Sequence, residues 1–166
     1  MKNIIATFSA AALLALPLAA TLHASEAAFL QSFDGNWTGG GQVRLSPGDD
    51  PVNVSCRFDG LSTAASASLD GSCTAMILFT REIVAQLQVE NGAYAGTYVG
   101  SRRGPAQLLG KRTGSGLDLT LEWPGHPVAS MTLSSPSEGR MVLTTMENHP
   151  DTGEPVVTAN LELQKQ

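Results

Sequence analysis

From Trp37 to Leu163 apolar residues recur at every second position, and the gaps between runs are filled by Gly, Pro, Asp, Asn and Ser. Alternation of period two turns one face of each run to a core and the other to water, so it predicts short half-buried strands joined by tight turns. In the first run Trp37, Gly39, Gly41, Val43 and Leu45 share the apolar face, opposed by Thr38, Gly40, Gln42 and Arg44. Ser46 to Pro51 is turn chemistry. Val52, Val54, Cys56 and Phe58 continue an inward face, and Asp59-Gly60 is expected to interrupt it. The pattern resumes with Ala67, Leu69, Gly71, Cys73 and Ala75 inward, against Ser66, Ser68, Asp70, Ser72 and Thr74.

Asn91-Gly92 marks the clearest hairpin, because this pair best tolerates the two positive φ values of a type I′ turn. Two-residue closure fixes the register: Val89 faces Tyr94, Leu87 faces Gly96 and Ala85 faces Tyr98 on one side, while Gln88 faces Ala95 and Gln86 faces Thr97 on the other. Later strands are expected at Ala106 to Lys111, Leu117 to Trp123, Ala129 to Leu133, Met141 to Met146 and Val157 to Leu163, separated by Gly- and Pro-rich turns, among them Ser135 to Gly139. Met76, Phe79, Ile83 and Leu87 also fit a helical stripe, so Met76 to Arg81 is read as a possible helical turn before a strand that starts at Ile83.

Eight to ten strands with short links favour pairing between neighbours, hence an all-β domain that is a single antiparallel up-and-down β-barrel, with a two-sheet β-sandwich as the alternative. The barrel is preferred because closure leaves no exposed edge. A membrane-spanning barrel needs a lipid-facing apolar band, whereas the outward positions here carry Thr, Gln, Asp, Glu and Ser.

Ahead of the alternation lies a different pattern. Met1-Lys2-Asn3 is a short basic start, and the charge-free run from Ile4 to Ala20 is about 17 residues, at the lower limit for spanning a bilayer. This is the layout of a signal peptide over residues 1–27, cleaved after Ala24 or after Ala27, which leaves a single domain over 28–166 that is periplasmic or secreted and keeps no membrane anchor. No cysteine lies near the processing point for lipidation. Loss of Lys2 leaves nine Lys plus Arg against fourteen or fifteen Asp plus Glu, an acidic balance that argues against nucleic acid as a partner. The chain's two cysteines, Cys56 and Cys73, both fall on apolar strand faces and are expected to pair in an oxidising compartment.

Candidate chemistry is sparse. Asp151-Thr152-Gly153 matches the aspartic-protease tripeptide, but it occurs once and follows Asn148-His149-Pro150 rather than an apolar strand, so it reads as a turn. Gly104 to Arg112 lacks the spacing and the Ser or Thr of a phosphate-binding loop. His126 and His149 stand beside prolines without the converging ligands a metal needs. Arg102, Arg103, Lys111 and Arg112 resemble a basic patch, yet an intervening strand of eight residues at about 3.3 Å each separates the pairs by about 26 Å. No catalytic residue, metal site or cofactor is assigned.

Gly35-Asn36-Trp37-Thr38-Gly39-Gly40-Gly41, with Cys56, Gly71-Ser72-Cys73 and Tyr94-Ala95-Gly96-Thr97-Tyr98, resembles a group of short exported bacterial proteins with no assigned function. The early Gly-x-Trp is also similar to the entry of calycin barrels such as lipocalins and avidin, which implies that Trp37 plugs the barrel bottom; the late basic residue that lipocalins place over this tryptophan is not assigned. In size, compartment and an early cysteine pair the chain is similar to bacterial barrel inhibitors of secreted metalloproteases. The expectation is therefore a non-enzymatic binding module. Its partner is a small apolar ligand in a barrel whose inward Gly39, Gly41, Gly71 and Gly96 leave room, or else a secreted or envelope protein met by a loop end near Arg102 and Arg103 or the Ser46 to Pro51 turn.

Overall fold

Turn-forming residues and alternating strands produce the architecture. The structure is a computed structural model that describes residues 18–166. A helix, α1 (Leu18–Gln31), precedes ten strands: β1 (Gly35–Val43), β2 (Val52–Ser62), β3 (Ser66–Ala75), β4 (Phe79–Glu90), β5 (Ala93–Ser101), β6 (Gly104–Thr113), β7 (Gly116–Glu122), β8 (Ala129–Ser137), β9 (Arg140–Asn148) and β10 (Pro155–Lys165). Each strand pairs antiparallel with its sequence neighbours and β10 closes onto β1, giving an up-and-down barrel rather than the alternative sandwich. Both residues 1–17, which hold most of the signal-like run, and any event there lie outside the described residues. Among the described residues no helix is long and apolar enough to cross a membrane.

Strand direction sorts the loops into two ends. The floor holds α1, the C-terminus and the turns after β2, β4, β6 and β8; the mouth holds the loops 44–51, 76–78, 102–103, 123–128 and 149–154. The β4–β5 hairpin has the register that its turn dictates, with Val89 opposite Tyr94, Leu87 opposite Gly96 and Ala85 opposite Tyr98, and left-handed φ values of 51° at Asn91 and 79° at Gly92.

Several local expectations are corrected. Asp59-Gly60 does not interrupt β2, which runs on to Ser62, because a residue without a side chain lets the strand pass the Phe33 carbonyl. Leu45 lies beyond the end of β1 and is exposed rather than inward. β8 continues to Ser137 through an irregular pairing with β9 instead of stopping at Leu133 before a turn over Ser135 to Gly139. A bulge between Val157 and Ala159 reverses the parity at the start of β10, exposing Val157 and burying Thr158, whose hydroxyl donates to the Thr145 carbonyl. Met76 to Leu78 forms the β3–β4 turn and β4 begins at Phe79, so no helical turn precedes the strand.

Candidate functional site

The floor is built first by the helix. Its last turn delivers Phe29 and Leu30 to the core, and the turn after it delivers Phe33; all three are buried, with Phe29 and Phe33 edge to face at 5.2 Å between ring centres. The chain then enters β1 at Gly35, whose φ of 107° is open to glycine alone at low cost. Two residues on, Trp37 is buried and its indole nitrogen donates to the Phe33 carbonyl at 2.9 Å. Lys165, opposite Trp37 on β10, brings its ammonium 5.7 Å from the indole centre. Lys165 thus lies over the tryptophan from the last strand.

At the same end Tyr94 is buried and donates its hydroxyl to Glu26 Oε1 of the helix. Burial, reinforced by the Glu26 carboxylate, holds this phenol well above the ordinary tyrosine range. Arg112 ties the same corner, lying over the Phe29 ring at 4.1 Å, pairing with Glu26 at 3.5 Å and donating to the Ser25 carbonyl at 3.1 Å. None of Phe29, Leu30 and Phe33 belongs to the period-two pattern; their i, i+1, i+4 spacing beside an apolar leader hides them.

Above Phe33 the barrel keeps a cavity of about 50 Å³. Its lining is almost wholly apolar: Phe58, Leu69, Ile83, Ala85, Leu108, Met131 and Leu143 are representative. Tyr98 is the phenol among them, and its hydroxyl has no hydrogen-bond partner among the described residues. Burial pushes the Tyr98 hydroxyl above its usual range, against the opposing influence of the Arg81 charge.

The four inward glycines do not create this space. A Cβ on Gly39, Gly41, Gly71 or Gly96 would fall within 2.0 Å of a carbonyl oxygen on a neighbouring strand, so these positions mark close backbone approach. Above the cavity Cys56 and Cys73, directly opposite on β2 and β3, form a disulfide, and both are buried.

Arg102 and Arg103 part company at the mouth. Arg103 lies over the Trp123 ring at 5.1 Å and pairs with Glu147 at 2.7 Å, while Trp123 donates to the Gly104 carbonyl at 3.1 Å. Arg102 is exposed. Lys111 and Arg112 lie at the opposite end of β6, so the four cations form no single patch. Among the described residues no three His, Cys, Asp or Glu side chains converge as a metal group. His149 and Asp151 share a turn in which the Asp151 amide donates to His149 Nδ1 at 3.2 Å.

No protein-family model matches the chain, and no curated protein matches it. Solved structures do share its fold. Rv2717c from M. tuberculosis superposes with a TM-score of 0.63 at 13% identity, covering 82% of this chain and 94% of that one. The S-type phycobiliprotein lyase CPES from Guillardia theta superposes with a TM-score of 0.54 at 12% identity, covering 90% of this chain and 98% of that one. At such identities the likeness establishes the barrel fold.

Proposed function

We propose that the chain is an exported, non-enzymatic binding module that holds a small apolar ligand inside its barrel. The observation that carries this reading is the apolar cavity above Phe33, with the Tyr98 ring in its wall. A predominantly apolar wall is the usual composition of a small-molecule site. The cavity of about 50 Å³ is well short of the roughly 300 Å³ at which such sites begin, so entry requires side chains to move. Met131, Met141 and Leu143 line it, and the unbranched thioethers re-pack at low cost. A phycobiliprotein lyase with the same barrel is compatible with ligand handling. Export is supported by the signal-like leader and by a disulfide that suits an oxidising compartment.

Native mass spectrometry of protein purified from the periplasm or medium tests the reading. The expected result is a retained small molecule, or uptake of an apolar fluorescent probe that Ala85→Phe blocks. A bare mass together with no probe uptake would overturn it. An inhibitor reading through Arg102 and Arg103 has less support, since Arg103 is already engaged by Trp123 and Glu147.

A further inference from the structure

Met76, Ile77, Leu78 and Phe79 are four consecutive large apolar residues, and they are 66%, 93%, 81% and 68% exposed. They cap the β3–β4 hairpin at the mouth, and among the described residues nothing is folded over them. We infer that this tip inserts into a phospholipid surface, from which the barrel takes its apolar ligand.

The backbone holds these side chains outward. Met76 and Ile77 have left-handed φ values of 48° and 67°, and a β-branched residue rarely adopts that conformation. A turn made for solvent would carry Gly or Asn there. Strain kept at an exposed position is a mark of use rather than of stability.

The hairpin also stands clear on its β5 side, whereas on the β3 side β2 begins level with the tip, Val54 being opposite Ala75. Val84 is opposite Val99, so Glu82 comes level with Ser101, the last residue of β5, and Phe79 to Arg81 project past it. A projecting apex can enter a fluid layer, which shapes itself to the intruder, without the shaped pocket a protein partner would have to supply. Leu45, in the adjacent mouth loop, and Val99, at the mouth end of β5, add exposed apolar surface at the same end.

Two cations lie close to the tip. Arg81 lies two residues below Phe79, and Arg102 ends the neighbouring hairpin; neither forms an ion pair among the described residues. Asp49, Asp50, Glu82, Asp151 and Glu154 lie at the same end, so apolar insertion is the driving force and charge is secondary. Arg81 shares strand parity with Ile83 and Ala85 of the cavity wall, which places the membrane-facing tip and the ligand wall on one strand.

The inference rests on the apolar-ligand reading for its purpose, but the two fail separately. Flotation of the exported protein with phosphatidylcholine vesicles, with and without phosphatidylglycerol, is measured for the native chain and for I77S/L78S. Native protein is expected to float with both, and the variant to lose about tenfold or more in partitioning while keeping its circular dichroism spectrum, since two exposed apolar side chains are removed. Uptake of the fluorescent probe from water is expected to be unchanged in I77S/L78S; loss of that uptake in both proteins bears on the cavity alone. Absence of flotation, or equal flotation of native and variant, would overturn the insertion. So would concentration-dependent dimerisation, abolished by I77S/L78S, in protein that does not float.

Discussion

Lys165 lies over Trp37, ammonium to indole centre 5.7 Å, and its Cε is only 2.7 Å from where a Cβ on Gly35 would stand. The pairing explains the Gly-x-Trp at the start of β1. Gly35 supplies both the left-handed turn out of the helix and the gap through which the lysine stem passes, so that an aliphatic chain and its charge cover the indole. Trp37→Ala is expected to cost about 3 to 5 kcal/mol by opening a cavity in the floor. Trp37→Phe should cost about 1 to 3 kcal/mol, much of it from leaving the Phe33 carbonyl unpaired. Lys165→Met keeps the stem and should cost about 1 kcal/mol or less. Denaturant midpoints order the three, and Lys165→Met matching Trp37→Ala would refute the assignment of the floor to the ring.

Joining strands that are already neighbours, the Cys56–Cys73 bridge closes a segment with a separation of 17 residues. Restriction of the unfolded chain by such a loop is worth about 3 kcal/mol, in a model that credits chain entropy. Cys56→Ala/Cys73→Ala should therefore remain a barrel by circular dichroism but unfold at lower denaturant by that amount. Complete loss of the barrel would mean that the bridge organises the sheet rather than stapling it.

Local rules made most of the barrel legible. Asn91-Gly92 dictated a register that holds pair by pair, because a two-residue turn leaves no freedom, and parity placed Trp37, Cys56, Cys73 and the Leu117 to Leu121 face inward. Non-local geometry was hidden. Lys165 meets Trp37 only after β10 closes on β1, a pairing across nearly the whole chain that no local pattern encodes. The helical spacing of Met76, Phe79 and Ile83 was fortuitous, since the turn there is formed by Met and Ile in conformations their sequence disfavours. Inward glycines suggested room, yet each admits a neighbouring strand's carbonyl instead. The cavity and the Tyr98 environment follow from how ten strands close, which alternation alone does not specify.

The two candidate processing points differ in what they leave behind. Cleavage after Ala24 keeps Ser25 and Glu26, which hold Arg112 and the Tyr94 hydroxyl; cleavage after Ala27 removes both. The shorter product would lose the Glu26 carboxylate that accepts from Tyr94 and pairs with Arg112. On the proposed export, N-terminal sequencing of the processed protein is expected to begin at Ser25. A start at Ala28 would refute this, and protein engineered to start there should melt lower than protein starting at Ser25.

Alkaline pH offers a check on the interior with few competing signals, because the chain has only two tyrosines and both are held above the ordinary value. Burial is the leading cause in each, disfavouring the phenolate; Arg112 and Arg81 oppose it at Tyr94 and Tyr98 respectively. Raised folded-state values mean that the unfolded chain loses these protons first. Their contribution to stability is therefore complete below about pH 10 and falls as pH rises through the folded-state values. Phenolate absorbance should stay low in the folded protein at pH 10 and appear together with the loss of tertiary signal at higher pH. Tyr98→Phe should lessen the alkaline loss of stability without altering that at neutral pH by the same mechanism. Phenolate titrating near pH 10 with the barrel intact would place the tyrosine hydroxyls in water and refute the burial that raises them.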